Sequence, residues 1–289
     1  MATRGMELTG IRGRVALVTG AGGGIGAACA RALAAEGALV AVTDLDGARA
    51  ASVAAAIVAG GRGPDGAGEA RGAGEAAAPG AARAYALDVA DGDAVEGAFE
   101  RVGRELGPVD ILVNVAGVFL ERPALELSLA DFDRLFAVNA RGVFACCRAA
   151  ARGMAGRGRG AIVTVSSQSA KVVRTGQAVY GASKCAAAYA TKCFGLELAA
   201  RGVRCNVVYP GVTDTPLARA VWDAAPGGRA ARVAAHVGGD PARYRAPLPL
   251  GKIASPEDVA GVVAFLASDR AGHITLADLV VDGGAALLA

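Results

Sequence analysis

Val15-Ala16-Leu17-Val18-Thr19-Gly20-Ala21-Gly22-Gly23-Gly24-Ile25-Gly26, running into the Ala-rich stretch Ala27–Glu36, decides the fold. Val15–Thr19 is apolar without alternation, the pattern of a strand buried on both faces. A glycine turn follows and then a helix. In that order, backbone N–H groups and the positive helix end can approach a pyrophosphate that Cβ atoms would keep away. The alternative is a merely flexible loop in a chain with 42 glycines among 289 residues. Position argues against it, because the loop leaves a buried strand and opens a helix.

The same rhythm continues outward. Leu39–Thr43, Ala84–Leu87, Ile111–Val113, Ala161–Val165, Val203–Val208 and Leu279–Val281 read as strands, separated by segments of helical length. Alternating strands and helices joined by right-handed crossovers predict a single-domain α/β fold over residues 1–289: a doubly wound parallel sheet, Rossmann-like, with helices on both faces. Gly60–Ala82 breaks the rhythm with eight glycines and two prolines, and reads as a flexible surface insertion.

The spacing Gly20-x-x-x-Gly24-x-Gly26 puts Ile25 where the commonest dinucleotide fingerprint needs its third glycine, and no Gly-Lys-Ser/Thr is present for a triphosphate loop. Asp44 ends the second strand. A carboxylate there accepts hydrogen bonds from ribose hydroxyls and repels a 2′-phosphate, which favours NAD over NADP. Asp88-Val89 and Asn114-Val115-Ala116-Gly117 follow the third and fourth strands, at the carboxyl ends where ligands of open α/β sheets collect.

Composition narrows the class. Thirty Lys plus Arg against 27 Asp plus Glu give a net charge of +3, no footprint for nucleic acid. The six cysteines show no C-x-x-C pair, which fits a reducing, cytoplasmic setting. No apolar run of about 18 residues predicts a membrane span, and the N-terminus has no secretory h-region. The two histidines, His236 and His273, are far apart in sequence, so no metal site is expected.

Only four basic residues are lysines: Lys171, Lys184, Lys192 and Lys252. Lys184 closes Tyr180-Gly181-Ala182-Ser183-Lys184, and Ser166-Ser167 precede Tyr180 by 13 or 14 residues. On a helix the i,i+4 pair shares one face, so an ammonium can favour a phenolate and make Tyr180 a proton acceptor. Ser167 is placed to hold the substrate oxygen, and Asn139 to order a water beside Lys184. A surface Tyr and a surface Lys are the alternative, weakened by the rarity of lysine in this chain.

With T-G-x-x-x-G-x-G at Thr19–Gly26, N-x-A-G at Asn114–Gly117 and Y-x-x-x-K at Tyr180–Lys184, the chain resembles the short-chain dehydrogenase/reductase family over nearly all its length outside 60–82. The resemblance implies a catalytic tetrad of Asn139, Ser167, Tyr180 and Lys184. It implies an NAD site lined by Gly20, Gly24, Ile25, Gly26, Asp44, Leu45, Asp88, Val89, Asn114, Ala116, Gly117, Tyr180 and Lys184. Pro210, Gly211, Val212 and Thr213 match the family's loop beside the nicotinamide. The usual N-N-A-G is here Asn114-Val115-Ala116-Gly117.

Gly160–Ser166, Gly202–Val208, Pro249–Ala254 and His273–Gly284 are similar to family members that oxidise the C3 hydroxyl of a dihydroxycyclohexadiene carboxylate to an aromatic catechol acid in siderophore biosynthesis. An amino group in place of the C2 hydroxyl, as in secondary-metabolite and antibiotic pathways, is a second reading. A general cyclic-alcohol dehydrogenase and a non-catalytic NAD sensor are the others. A substrate carboxylate needs a cation, and Arg174 stands between Ser167 and Tyr180, with Ser167 and Gln168 as further substrate contacts. The segment 213–249 is expected to cover the substrate. The resemblance also implies a homotetramer built on helices at Ser128–Gly153 and Gln177–Ala200.

Overall fold

The computed structural model describes residues 8–60, 81–225 and 227–286. The predicted insertion at 60–82 therefore lies almost wholly outside the described residues. Seven strands form one parallel sheet: β1 (Val15–Val18), β2 (Leu39–Asp44), β3 (Ala82–Ala86), β4 (Val109–Asn114), β5 (Gly160–Val165), β6 (Val203–Pro210) and β7 (Asp278–Val281). Their order is β3-β2-β1-β4-β5-β6-β7, and every pairing is parallel. The chain reverses direction across the sheet between β1 and β4, the switch point at which such sheets bind ligands.

The run of apolar residues in β1 is divided by the pleat. Ala16 and Val18 enter one core cluster, Val15 and Leu17 the other. On the first face pack α1 (Gly24–Ala35), α2 (Gly47–Gly60) and, late in the chain, α9 (Pro256–Ala267); on the second pack α3 (Gly92–Glu105), α5 (Val143–Arg157) and α6 (Ala178–Leu198). This is the Rossmann-like doubly wound fold expected from the sequence.

Helix starts differ in an informative way. The helix expected at Ala27 begins at Gly24, so the last glycines of the loop already present first-turn N–H groups. The helix expected over 128–153 starts with a capping box between Ser128 and Asp131, runs as α4 (Leu129–Phe136), opens into a π-helical turn at Ala137–Gly142, and continues as α5. Asn139 sits in that π turn, a local widening that often marks a functional side chain. Between β6 and α9 the expected cover folds as α7 (Pro216–Asp223), α8 (Gly228–Gly238) and a 3-10 turn at Pro241–Arg243.

Candidate active site

Thr19 ties the glycine loop to the end of β4. Its Oγ1 accepts hydrogen bonds from the backbone N–H groups of Val115 (3.0 Å) and Ala116 (3.1 Å). The chain then turns at Gly20 with φ +63°, and a Cβ there would lie 2.7 Å from the Ala116 Cα. A Cβ on Gly26 would meet the Gly20 carbonyl oxygen at 2.1 Å. The T-G and N-x-A-G motifs are therefore two sides of one close approach between β1 and β4.

These glycines open on a cavity of about 470 Å³ along the carboxyl ends of the strands. Gly20, Gly24, Ile25, Gly26, Asp44, Leu45, Asp88, Val89, Ala116, Gly117, Tyr180, Lys184, Pro210, Gly211, Val212 and Thr213 all line it, as do Ser167, Gln168 and Arg174. Asp44 lies against the loop, its Oδ2 accepting from the Gly22 N–H at 2.8 Å. Arg49, unnoticed in the sequence, also lines the cavity and donates through Nε to the Gly22 carbonyl at 3.3 Å. The bare backbone of the loop and the helix start behind it fit the pyrophosphate of a dinucleotide.

Asn114 departs from expectation. As the last residue of β4 it is buried away from the cavity, its Nδ2 donating to Thr164 Oγ1 (3.1 Å) and Cys147 Sγ (3.3 Å). Asn114 is still within β4 and points into the packed layer, whereas Val115 and Ala116, past the strand end, line the cavity. Asn139 is also fully buried and outside the cavity lining. Its Oδ1 accepts from the Val118 N–H at 2.8 Å, while Nδ2 donates to the Val118 carbonyl and to Ser183 Oγ, both at 3.0 Å. Asn139 thus clamps the loop after Gly117 onto α6, beside Lys184. A Cβ on Gly117 would be 3.1 Å from both Asn139 Oδ1 and Lys184 Nζ.

Tyr180 and Lys184 lie one turn apart on α6 and both face the cavity. The Tyr180 ring meets Phe119 edge to face at 4.9 Å between centroids. Burial pushes the phenol's pKa up, and a hydrogen bond with Ser167 pulls it down. That contact with Ser167 favours the phenolate. Lys184 is buried, donates from Nζ to the Val165 carbonyl at 3.2 Å, and is pushed down by burial to about 8.

The cover supplies Trp222, expected there from the sequence, and further cavity residues that the sequence reading did not assign to the site. Trp222 on α7 is buried in the cavity wall, 6.0 Å between ring centroids from His236 on α8. Arg232 and Arg245 join them, together with Glu121 from the loop after β4. The i,i+4 spacing of Arg232 and His236 was the one local hint that they share a face. Gln168 is buried, and its Oε1 has no partner among the described residues.

Residues 65–286 match the family model described as Enoyl-(Acyl carrier protein) reductase. The chain is 41% identical over 284 residues to the 2,3-dihydro-2,3-dihydroxybenzoate dehydrogenase of Bacillus subtilis, covering 98% of this chain and 99% of that protein. The chain belongs to the short-chain dehydrogenase/reductase family. It is also 40% identical to the D-threitol dehydrogenase of Mycolicibacterium smegmatis, over 94% of this chain and 92% of that one. A short-chain type dehydrogenase/reductase from Mycobacterium marinum superposes with a TM-score of 0.79 at 32% identity, covering 95% and 96% of the two chains. The protein is accordingly a short-chain oxidoreductase of the kind that uses a nicotinamide cofactor. No helix among the described residues is long and apolar enough to cross a membrane.

Proposed function

We propose that the protein oxidises the C3 hydroxyl of a 2,3-dihydro-2,3-dihydroxybenzoate-like cyclohexadiene carboxylate with NAD, giving 2,3-dihydroxybenzoate. The observation that carries this reading is Arg174. It lies in the wall of the same cavity as Ser167 and Tyr180, and its buried Nε is without a partner among the described residues. A guanidinium so placed matches a substrate that presents a carboxylate to the wall and a hydroxyl to the phenol. The name and near-complete coverage of the Bacillus subtilis relative point to the same substrate class.

In this reading the glycine loop and Asp44 hold the dinucleotide, with the Asp44 carboxylate against the adenosine ribose, where it disfavours a 2′-phosphate. Pro210, Gly211, Val212 and Thr213 flank the nicotinamide, which when bound supplies the hydride acceptor. Tyr180 takes the C3 hydroxyl proton, Ser167 holds the same oxygen, and Lys184 places its ammonium beside the phenolate as charge develops. Asn139 positions the Gly117–Val118 backbone that walls this group. The resulting dienone tautomerises to the catechol, and aromatisation makes the overall oxidation one-way.

The test is one assay panel at 340 nm: NAD⁺ and NADP⁺, each with the dihydrodiol carboxylate, its 2-amino analogue and D-threitol. Fastest NADH formation with the dihydrodiol carboxylate is expected, abolished in Tyr180→Phe. Faster turnover of the amino analogue or of threitol would replace the substrate assignment, and a preference for NADP⁺ would overturn the role given to Asp44.

Assembly belongs to the same proposal. Cys185, Tyr189, Cys193 and Leu196 form an exposed stripe along α6, with Tyr189 71% and Leu196 72% exposed. Exposed Phe144 on α5 meets Phe194 of α6 at 5.4 Å between centroids, which carries the apolar surface across both helices. Such a surface is covered by further copies of the chain in a homotetramer.

A further inference from the structure

The cations in the cavity wall are not balanced by the carboxylates that face them. Glu121 accepts from Arg232 Nη2 through both oxygens, at 2.9 and 3.0 Å, and also from Arg243 Nη1. Those two arginines hold its carboxyl below the usual range in spite of burial, so its charge is already committed. Arg174 and Arg245 are left over. Neither has a carboxylate within 4 Å among the described residues.

Each of the two is nevertheless held in place. Arg174 donates from Nη2 to the Ala285 carbonyl at 3.2 Å. Arg245 is anchored at its backbone by a bridge to Asp240, and its Nη1 contacts His236 Nδ1. A guanidinium is always a donor, so His236 Nδ1 must be the acceptor and the ring proton sits on Nε2. Burial and the surrounding arginines keep that ring neutral by pushing its pKa down to about 4, so the contact persists across ordinary pH. Two half-buried, pre-oriented guanidiniums in a cavity wall whose nearest lining carboxylate, Glu121, is already committed are stabilised when a ligand brings the missing anion.

We infer that Arg174 on the body and Arg245 on the cover are the two jaws of one carboxylate-binding site, with His236 as the positioning residue that aims Arg245. Glu121 plays a separate part: by holding Arg232 of α8 and Arg243 of the 3-10 turn, it pins the cover to the body. The ligand class is a ring monocarboxylate. Because the jaws come from two segments, binding the anion joins the cover to the body over the ring, and Trp222 and His236 lie in the same wall. The inference rests on the reading of the substrate as a ring carboxylate, and it identifies the groups that select for it.

Calorimetric titration of the NADH-loaded protein with benzoate and with benzamide, its neutral analogue, tests the site apart from catalysis. Benzoate should bind at least tenfold more tightly than benzamide to the wild type. Arg245→Gln and Arg174→Gln should each weaken benzoate about tenfold while leaving benzamide within twofold. Arg245→Lys, which keeps the charge and loses the fork, should fall between. His236→Phe should lower the benzoate-to-benzamide ratio severalfold, and His236→Gln, which restores an acceptor, should recover it. A wild type that fails to prefer benzoate, or an Arg245→Gln variant with an unchanged ratio, overturns the site. A tenfold benzoate preference in a protein that does not oxidise the dihydrodiol would instead leave the site standing and remove the substrate assignment.

Discussion

Lys184 carries opposite consequences for stability and for chemistry. Its ammonium is buried and held at about 8, against 10.5 for an ordinary lysine. Between those values the unfolded chain binds more protons than the folded one, so stability rises with pH across that window. Below about pH 8 the buried charge opposes folding by up to about 3 kcal/mol, taking ~1.4 kcal/mol per pKa unit. Lys184→Met is therefore expected to melt above the wild type at pH 7, to lose the rise between pH 8 and 10, and to be inactive; thermal melts across pH with parallel assays check this. Ser167 acts on the neighbouring phenol. It supplies the hydrogen bond that lowers the Tyr180 pKa, and oxidation requires the deprotonated phenol. In Ser167→Ala the ascending limb of the kcat/KM profile should move to higher pH, with kcat down about 10²-fold or more. A profile that merely drops without moving would show that Ser167 acts on the substrate oxygen alone.

At the scale of elements, legibility followed periodicity. The central strands β1, β2, β4 and β5 were readable because they are apolar on nearly every residue, the pattern of a sheet covered on both faces, and each expected strand lies within two residues of its observed bounds. The start of α1 was not readable, because Gly24–Gly26 has poor helix propensity, overridden by the close packing of Gly26 on the Gly20 turn and of Gly24 on Thr215. Asn114 was assigned to the cofactor because its motif lies at a strand end, yet the pleat turns its side chain toward Thr164. Arg232, His236 and Arg245 could not be read as a site, since only the packing of the cover brings them to Glu121 and Arg174. Glycine shows how position sorts abundance. A Cβ on Gly26 meets the Gly20 carbonyl at 2.1 Å, whereas one on Gly97, exposed in α3, meets nothing within 4 Å. Gly26→Ala should sharply lower the melting temperature and weaken NADH binding at least tenfold. Gly97→Ala should leave binding unchanged and stabilise the fold by about 0.5–1 kcal/mol, the usual helical difference between the two residues. Melting curves and cofactor titration of both variants decide it.

For the whole molecule, the surface along α6 is what remains to be covered. Ala187, Ala188, Thr191 and Gly195 are turned inward and bury the helix against its own core, while Cys185, Tyr189, Cys193 and Leu196 are turned out at spacings of four, four and three. A helix that is apolar on both sides supports the proposed assembly, because a solvent-facing stripe needs no Tyr or Leu at that period. In the proposed tetramer the stripe meets its own copy across a twofold axis, so one substitution acts twice at each interface. Tyr189→Glu combined with Leu196→Glu places like charges opposite each other there, and sedimentation should show the wild type as a tetramer and the double variant as smaller species. Neither side chain is in the cavity lining. Each dissociated subunit should therefore still bind NADH, so loss of assembly can be told from loss of fold, and a wild type that sediments as a monomer at micromolar concentration would remove the premise.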